Sequence, residues 1–410
     1  MHILSLAPTS FFSDYGCHVR ILEEARALQA LGHQVTILTY YKGSDVPGIR
    51  IVRTMPTPWH RDYEVGSSRH KFAFDALLGI RLLRVLSRNR FDVIHAHLHE
   101  GALIAGVLAR PWRIPVIFDY QGSLTDELLQ HRFIKANSMA HAIFRRVEQV
   151  VDRIPHAVLT STRHAASALR AKLGDRVPVQ ALPDGVNSQV FRPDVLSAEA
   201  RAHLRARWGI APDEPLVVFI GLLAAHQGIR NLIEAAARLK AEGRRLRWLV
   251  MGYPGVETWQ RVAAEAGTLP EVIFTGRVPY LEAPRMLALG DLAVAPKLSL
   301  TEGSGKILNY MAMALPTVAF DTPAQREYLG ALGVYAPPGD SEALARRVAD
   351  LLDHPQRRRM LGEQLRHRAV QRFGWEHAAS VMTSLYEQLL ARSKTQPVRP
   401  RRHQQDETVL

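Results

Sequence analysis

Cysteine is almost missing from this chain. Cys17 stands alone among 410 residues, which excludes a disulfide framework and any multi-cysteine zinc or iron–sulfur site, and suits a reducing compartment. Long apolar runs are missing too. Charged residues interrupt every one well short of the ~20 residues a membrane-spanning helix needs, and Gly101 to Ala109 is typical of the longest. The opening Met1-His2-Ile3-Leu4-Ser5-Leu6 has no basic start, long apolar stretch or small-residue cleavage site, so no export signal is expected. These absences point to the cytoplasm. Acidic residues are scarce relative to basic ones: 39 Asp+Glu against 52 Lys+Arg, a formal net charge of +13. There is no zinc-finger spacing and no RNP-like aromatic string, so nucleic acid is not expected as a partner.

What is present reads as an ordinary folded protein of two or three domains, 47% hydrophobic and 22% charged. The excess positive charge is local. Arg50 to Phe91 holds nine Lys/Arg against three Asp/Glu, Gln356 to Phe373 six Arg against one Glu, and Ser393 to Leu410 four basic residues against two acidic. From about His70 to Ser87 the spacing predicts a helix with Arg81, Arg84 and Arg88 on one face and Leu78, Leu82, Val85 and Leu86 on the other. That face reads either as a solvated flank or as a surface for peripheral contact with an anionic membrane. The segment 393–410, with Pro397 and Pro400, reads as a disordered basic tail.

Strand and helix patterns alternate along the whole chain. Ile3 to Leu6, Val35 to Thr39, Asp92 to Ala96, Val116 to Phe118 and Ala157 to Thr160 read as strands, with helices near Cys17 to Leu31, Gly101 to Ala109 and Ser138 to Val151. The pattern restarts after Leu182-Pro183-Asp184-Gly185-Val186-Asn187, with strands at Leu216 to Gly221, Leu246 to Met251, Val272 to Phe274 and Leu292 to Ala295. This predicts two doubly wound α/β lobes facing a cleft, one substrate per lobe.

The chain resembles the glycosyltransferase family 4 group, retaining enzymes of the GT-B fold: an α/β architecture of two Rossmann-like domains with a C-terminal helix crossing back to the first. The resemblance rests on Gly16, Gly32-His33-Gln34-Val35, Asp92 to His97, Leu182 to Asn187 with Phe191 and Pro193, Gly221, Gly228, Glu302-Gly303, Tyr310-Met311-Ala312, Pro316 to Ala319 and Trp375. It implies an acceptor domain over 1–185, a nucleotide-sugar domain over 186–374, and residues 375–392 packing back on the first. It also implies a nucleotide-diphosphate sugar donor, a hydroxyl acceptor that is a glycan or lipid-linked, and no metal or other cofactor.

A departing diphosphate demands fixed donors, which without a metal must be cations, amides or a helix amino terminus. Glu302-Gly303-Ser304-Gly305-Lys306 fits, opening a helix expected over Lys306 to Ala314, and Lys306 is the expected grip. Relatives carry an Arg just after the glycine of the first strand loop of the second lobe and a Lys before a later glycine. Here these are Leu222 and Gln227. Of the two glutamates of relatives, Thr301 or Glu302 stands for one and Asn309, at the ribose, for the other; Gln121-Gly122 replaces His-Gly near the transferred sugar. The expected site is therefore Lys306, Glu302 and Asp14 as reacting groups, and Gly16, Gln121, Gly122, Gly221, Gln227, Arg277, Gly303, Ser304, Gly305 and Asn309 around the donor, with Lys297 and His226 as further grips. Asp14 reads either as orienting the acceptor or as a helix cap. The missing cations leave a second account open, a catalytically degenerate binding or partner subunit. His95, His97 and His99 alternate as if on one strand face, and read as a strand end lining the acceptor cleft or as metal ligands. Cys17 reads as a packed small side chain.

Overall fold

The computed structural model describes residues 1–57, 70–130, 133–299 and 302–395. Arg61 and Arg69 of the first basic segment, and Thr301, lie outside them. The first lobe is built on seven strands: β1 (His2–Ala7), β2 (Gln34–Thr39), β3 (Arg50–Arg53), β4 (Val93–His97), β5 (Val116–Tyr120), β6 (Ala157–Thr160) and β7 (Val179–Ala181). They pair in the order β3-β2-β1-β4-β5-β6-β7, every pair parallel. The second lobe has β8 (Leu216–Ile220), β9 (Arg247–Met251), β10 (Val272–Gly276), β11 (Leu292–Ala295), β12 (Thr317–Phe320) and β13 (Val334–Ala336), again all parallel, in the order β10-β9-β8-β11-β12-β13.

Both faces of each sheet are covered by helices, so the strands are near-continuous apolar runs whose alternate side chains feed two cores. Ile3, Ala7, Ile37, Ile117 and Leu159 pack on one face with Trp375, Met382 and Tyr386 of the final helix. Leu4, Leu6, Ile94 and Ala96 pack on the other with Leu78, Leu82, Val85 and Leu86 of helix Lys71–Arg88. The outward face of that helix carries exposed Arg84 and Arg88, while Arg81 is half-buried.

The final helix, Trp375–Thr395, belongs to the core of the first lobe although the second precedes it. Its entry is tight: a Cβ at Gly185 would meet the Trp375 ring at 2.5 Å, and Val186 N–H donates to the Phe373 carbonyl at 2.7 Å. The helix also runs to Thr395, into the segment expected to lack structure, because a packed helix propagates one hydrogen bond at a time beyond its anchored part. Residues 396–410 lie outside the described residues.

In each sheet the strand order reverses once, between β1 and β4 and between β8 and β11. Ligand crevices form outside the carboxyl ends of strands at such points. The loops leaving β1, β5, β8 and β11 therefore face one another across the interlobe cleft.

Candidate active site

The cleft encloses about 380 Å³ and draws its walls from both lobes. Every expected site residue lines it except Arg277.

Its donor side begins where β11 leads through Lys297 and the loop 302–304 into helix Gly305–Ala312, one residue earlier than expected. Ser304 is the N-cap but makes no capping bond, and its buried Oγ has no partner among the described residues. A free hydroxyl there, beside the first amides of a helix, suits an anion. Lys306, on the first turn, reaches across to the loop after β8. Its Nζ donates to Gln227 Oε1 at 2.8 Å and lies 4.2 Å from the centre of the Phe219 ring. Burial first, and Lys297 second, push this ammonium well below its ordinary pKa, against the opposing pull of Glu302. A desolvated, poorly neutralised cation gains most from an incoming anion.

Gly221 explains how the lysine fits. Its φ is +151°, and a Cβ there would stand 2.6 Å from Lys306 Nζ. The glycines of the 302–305 loop answer a different need. A Cβ at Gly303 would meet Asp184 Oδ2 at 2.8 Å and Tyr328 OH at 2.9 Å, so the linker carboxylate and the Tyr328 hydroxyl pack directly against this glycine. Gly303 N–H donates to Ser161 Oγ at 3.3 Å, fixing the loop to the first lobe. Glu302 pairs with Lys297 at 2.8 Å and abuts Gly122, where a Cβ would meet its Cγ at 2.8 Å. Asn309 lines the cleft one helical turn beyond Lys306.

On the first-lobe side Gly16 opens helix Gly16–Ala30 and keeps a clear space, with no atom within 4 Å of its Cβ position. Asp14 does not cap this helix: Tyr15 is the N-cap, without a side-chain bond. The Asp14 carboxylate instead spans the cleft, accepting from Arg277 Nε at 2.9 Å and Nη2 at 2.6 Å and from Tyr280 N–H at 2.7 Å. Asp14 and Arg277 thus form a clasp between the lobes. Cys17 also lines the cleft; burial, then Asp119, pushes its thiol far above the ordinary range, which leaves it a packing group.

Beneath Gln121 lies a buried network that the sequence did not announce. The Arg20 guanidinium donates to both oxygens of Asp119, at 3.1 and 2.8 Å, and to Asp184 Oδ1 at 2.8 Å, and pairs with Glu24 at 3.0 Å. Asp119 Oδ2 also accepts from Gln121 Nε2 at 2.8 Å and lies 3.0 Å from His97 Nδ1. Burial alone would raise Asp119; Arg20 and His97 outweigh it and hold the carboxylate well below its usual range. Glu24 goes the other way, raised by burial and by its carboxylate neighbours more than Arg20 lowers it.

The three histidines separate. β4 ends at His97, and the chain turns at Leu98, with φ +59°, into helix Leu98–Leu108. Alternation stops there, so His99 lines the cleft against the rings of Phe118 and Tyr120 while His95 and His97 stay inside the lobe. Glu24, His95, His97 and Asp119 offer ligand atoms within 4.8 Å of one another. The Arg20 guanidinium already pairs with both acidic members of this group.

Two parallel-sheet lobes clasped around a cleft, with a cation and helix amides turned to one side of it, define a GT-B glycosyltransferase. Comparison with known proteins places it further. The "Glycosyl transferases group 1" family matches residues 200–368 and the "Glycosyl transferase 4-like domain" residues 15–185, so the chain belongs to the group 1 glycosyltransferases with a family 4-like first domain. It is 28% identical over 404 residues to 2-deoxystreptamine glucosyltransferase of Streptomyces kanamyceticus, covering 92% of this chain and 100% of that protein. Among solved structures, sucrose-phosphate synthase from Thermosynechococcus elongatus superposes with a TM-score of 0.81 at 19% identity, over 95% of this chain and 99% of the other. Anabaena HepE, solved in complex with UDP and glucose, gives a TM-score of 0.76 at 16% identity, over 95% of this chain and 100% of its own. Among the described residues no helix is long and apolar enough to cross a membrane.

Proposed function

We propose that the enzyme transfers a sugar from a nucleotide-diphosphate donor to a hydroxyl acceptor, on a glycan or a lipid, with retention and without a metal, in the cytoplasm and in peripheral contact with an anionic membrane. One observation carries the donor assignment: Lys306 Nζ stands 2.8 Å from Gln227, the residue at which relatives place a lysine of the diphosphate grip. The positive charge is supplied from the helix instead of the loop, so the same region of space receives a cation. A nucleoside diphosphate laid against this wall meets Lys306, the Ser304 hydroxyl and the first amides of helix Gly305–Ala312, with Asn309 toward its ribose.

Transfer then runs by substrate assistance. As the bond from the sugar to the β-phosphate oxygen breaks, charge grows on the diphosphate, and Lys306 with the first helix amides stabilises it. The acceptor oxygen bonds to the same face of the anomeric carbon, and its proton passes to the departing phosphate oxygen. Glu302, held by Lys297 and Gly122, and Gln121, held by Asp119, flank the sugar as hydrogen-bonding groups. The acceptor enters from the side of Gly16 and His99.

Thermal shift with UDP, GDP and ADP, on the wild type and Lys306→Ala, tests this. At least one nucleotide should stabilise the wild type, and the variant should lose most of the shift. No stabilisation by any of the three would overturn the donor assignment.

A further inference from the structure

We infer that the helix layer on the far side of the first sheet docks on an anionic bilayer. Helices Lys71–Arg88, Leu98–Leu108 and Met139–Val151 lie side by side there. Glycines let them approach closely: a Cβ at Gly79 would meet Leu108 Cδ1 at 3.0 Å, and one at Gly106 would meet Ile154 Cγ2 at 2.1 Å.

The outward side of this layer is apolar where a solvated helix would be polar. Met139, Ile143, Val147 and Val150, at intervals that keep them on one stripe, are 82%, 53%, 40% and 59% exposed. Leu103 and Val107 continue the surface on the middle helix, and Ile80 and Leu83 on the first, each at least 37% exposed. Isolated exposed apolar residues need no explanation, but a run across three adjacent helices marks an interaction surface.

The charges identify the partner. Within 71–90, 98–113 and 133–153 nine Lys and Arg are exposed: Arg84, Arg88 and Arg90, then Arg110 and Arg113, then Lys135, Arg145, Arg146 and Arg153. No acidic residue of these segments is exposed. Glu148 and Asp152, the carboxylates of the third helix, turn inward, Glu148 accepting from Thr125 N–H at 3.0 Å and Asp152 lying 3.5 Å from His99. A protein partner would ordinarily be met by charges of both signs. An apolar stripe bordered by cations alone matches lipid chains under anionic headgroups. Position agrees, since the first residues of two of these helices, Lys71 and Leu98 to Glu100, line the cleft. A bilayer on this layer would therefore lie beside the acceptor entrance.

This inference rests on the membrane contact proposed above and names the surface that makes it, apart from the transfer chemistry: anionic-vesicle binding that the variants below retain overturns the surface alone, whereas no binding overturns both. The full chain is sedimented with phosphatidylcholine vesicles and with vesicles in which one lipid in three is phosphatidylglycerol. Binding is expected only to the latter, and is expected to collapse in about 1 M salt, where the screening length falls to ~3 Å. I143E/V147E and R145E/R146E should each weaken partitioning roughly tenfold or more, while nucleotide thermal shifts stay as in the wild type. Lys306→Ala should bind vesicles normally. Equal binding to both vesicles, no binding, or variants that bind like the wild type would overturn the inference. So would a dimer in sedimentation that I143E/V147E converts to a monomer, which would make a second copy of the chain the occupant.

Discussion

Replacing Lys306 by glutamine isolates the charge of the donor grip while keeping a polar side chain of similar reach. Lys306 is half-buried, and its ammonium shares one hydrogen bond with Gln227 and faces Phe219, so a diphosphate oxygen arriving at contact distance would be its main counter-charge. Two unit charges ~4 Å apart interact by about 4 kcal/mol at an effective dielectric constant of 20, and deleting one preorganised donor from a developing oxyanion costs ~2.7–4 kcal/mol. K306Q is therefore expected to lower kcat/KM roughly a hundred- to a thousandfold, with most of the loss in kcat. The variant should melt with the wild type, because a desolvated ammonium below its ordinary pKa is not a stabilising group. A second signature comes from protons. An incoming diphosphate raises the pKa of Lys306, so nucleotide binding takes up a proton on the alkaline side, and affinity falls as pH rises through the free-enzyme pKa. Calorimetry in two buffers of different ionisation enthalpy reads that uptake, which K306Q should abolish. A folded K306Q within about threefold of the wild type, or ~0.7 kcal/mol, would refute the assignment.

Four further outcomes follow from the same geometry. Gly221→Ala places a methyl 2.6 Å from Lys306 Nζ, so kcat/KM should fall by about tenfold or more; Gly16→Ala, with open space at its Cβ, should keep the melting temperature and alter only KM. Asp14→Asn breaks the clasp to Arg277, whose side chain is 47% exposed, so it should cost no more than ~1 kcal/mol; small-angle scattering should show a larger radius, and donor KM should rise more than kcat falls. His18, buried against Ser13, is lowered from 6.5 to about 3, chiefly by burial. The unfolded chain binds this proton first, so His18 withdraws stability as pH falls from 6.5 toward 3. The stability gap between wild type and His18→Gln in urea titrations should narrow over that range, and a gap independent of pH would sink the argument.

The two-lobe architecture was legible because apolar strand runs and helix periods alternate from end to end, a pattern carried by neighbouring residues. The place of Lys306 in the cleft was legible for the same reason: its loop and helix are contiguous. Arg20, Asp119 and Asp184 were not. Their contacts span 99 and 164 positions, and each alone reads as an ordinary charged residue. Asp14 read either as orienting the acceptor or as a helix cap, and the cap reading fails because its partners come from the opposite lobe. Of the three histidines only His99 lines the cleft as read; strand alternation had put His95 and His97 on the same face, and it stops at a turn that only the left-handed Leu98 reveals.

The crossing of the final helix has a consequence for synthesis. The first sheet is complete at Ala181, yet Trp375, Met382 and Tyr386, which cover one of its faces, emerge roughly 190 residues later. At 5–20 residues per second that is a wait of ~10–40 s, during which Ile3, Ile21, Leu28 and Ile37 have no roof. The amino-terminal lobe, first to leave the ribosome, is thus the last to be finished. A premature stop anywhere in the second lobe leaves two damaged halves, and severing the linker while supplying both fragments should restore a folded pair only when the carboxyl-terminal one retains its last helix.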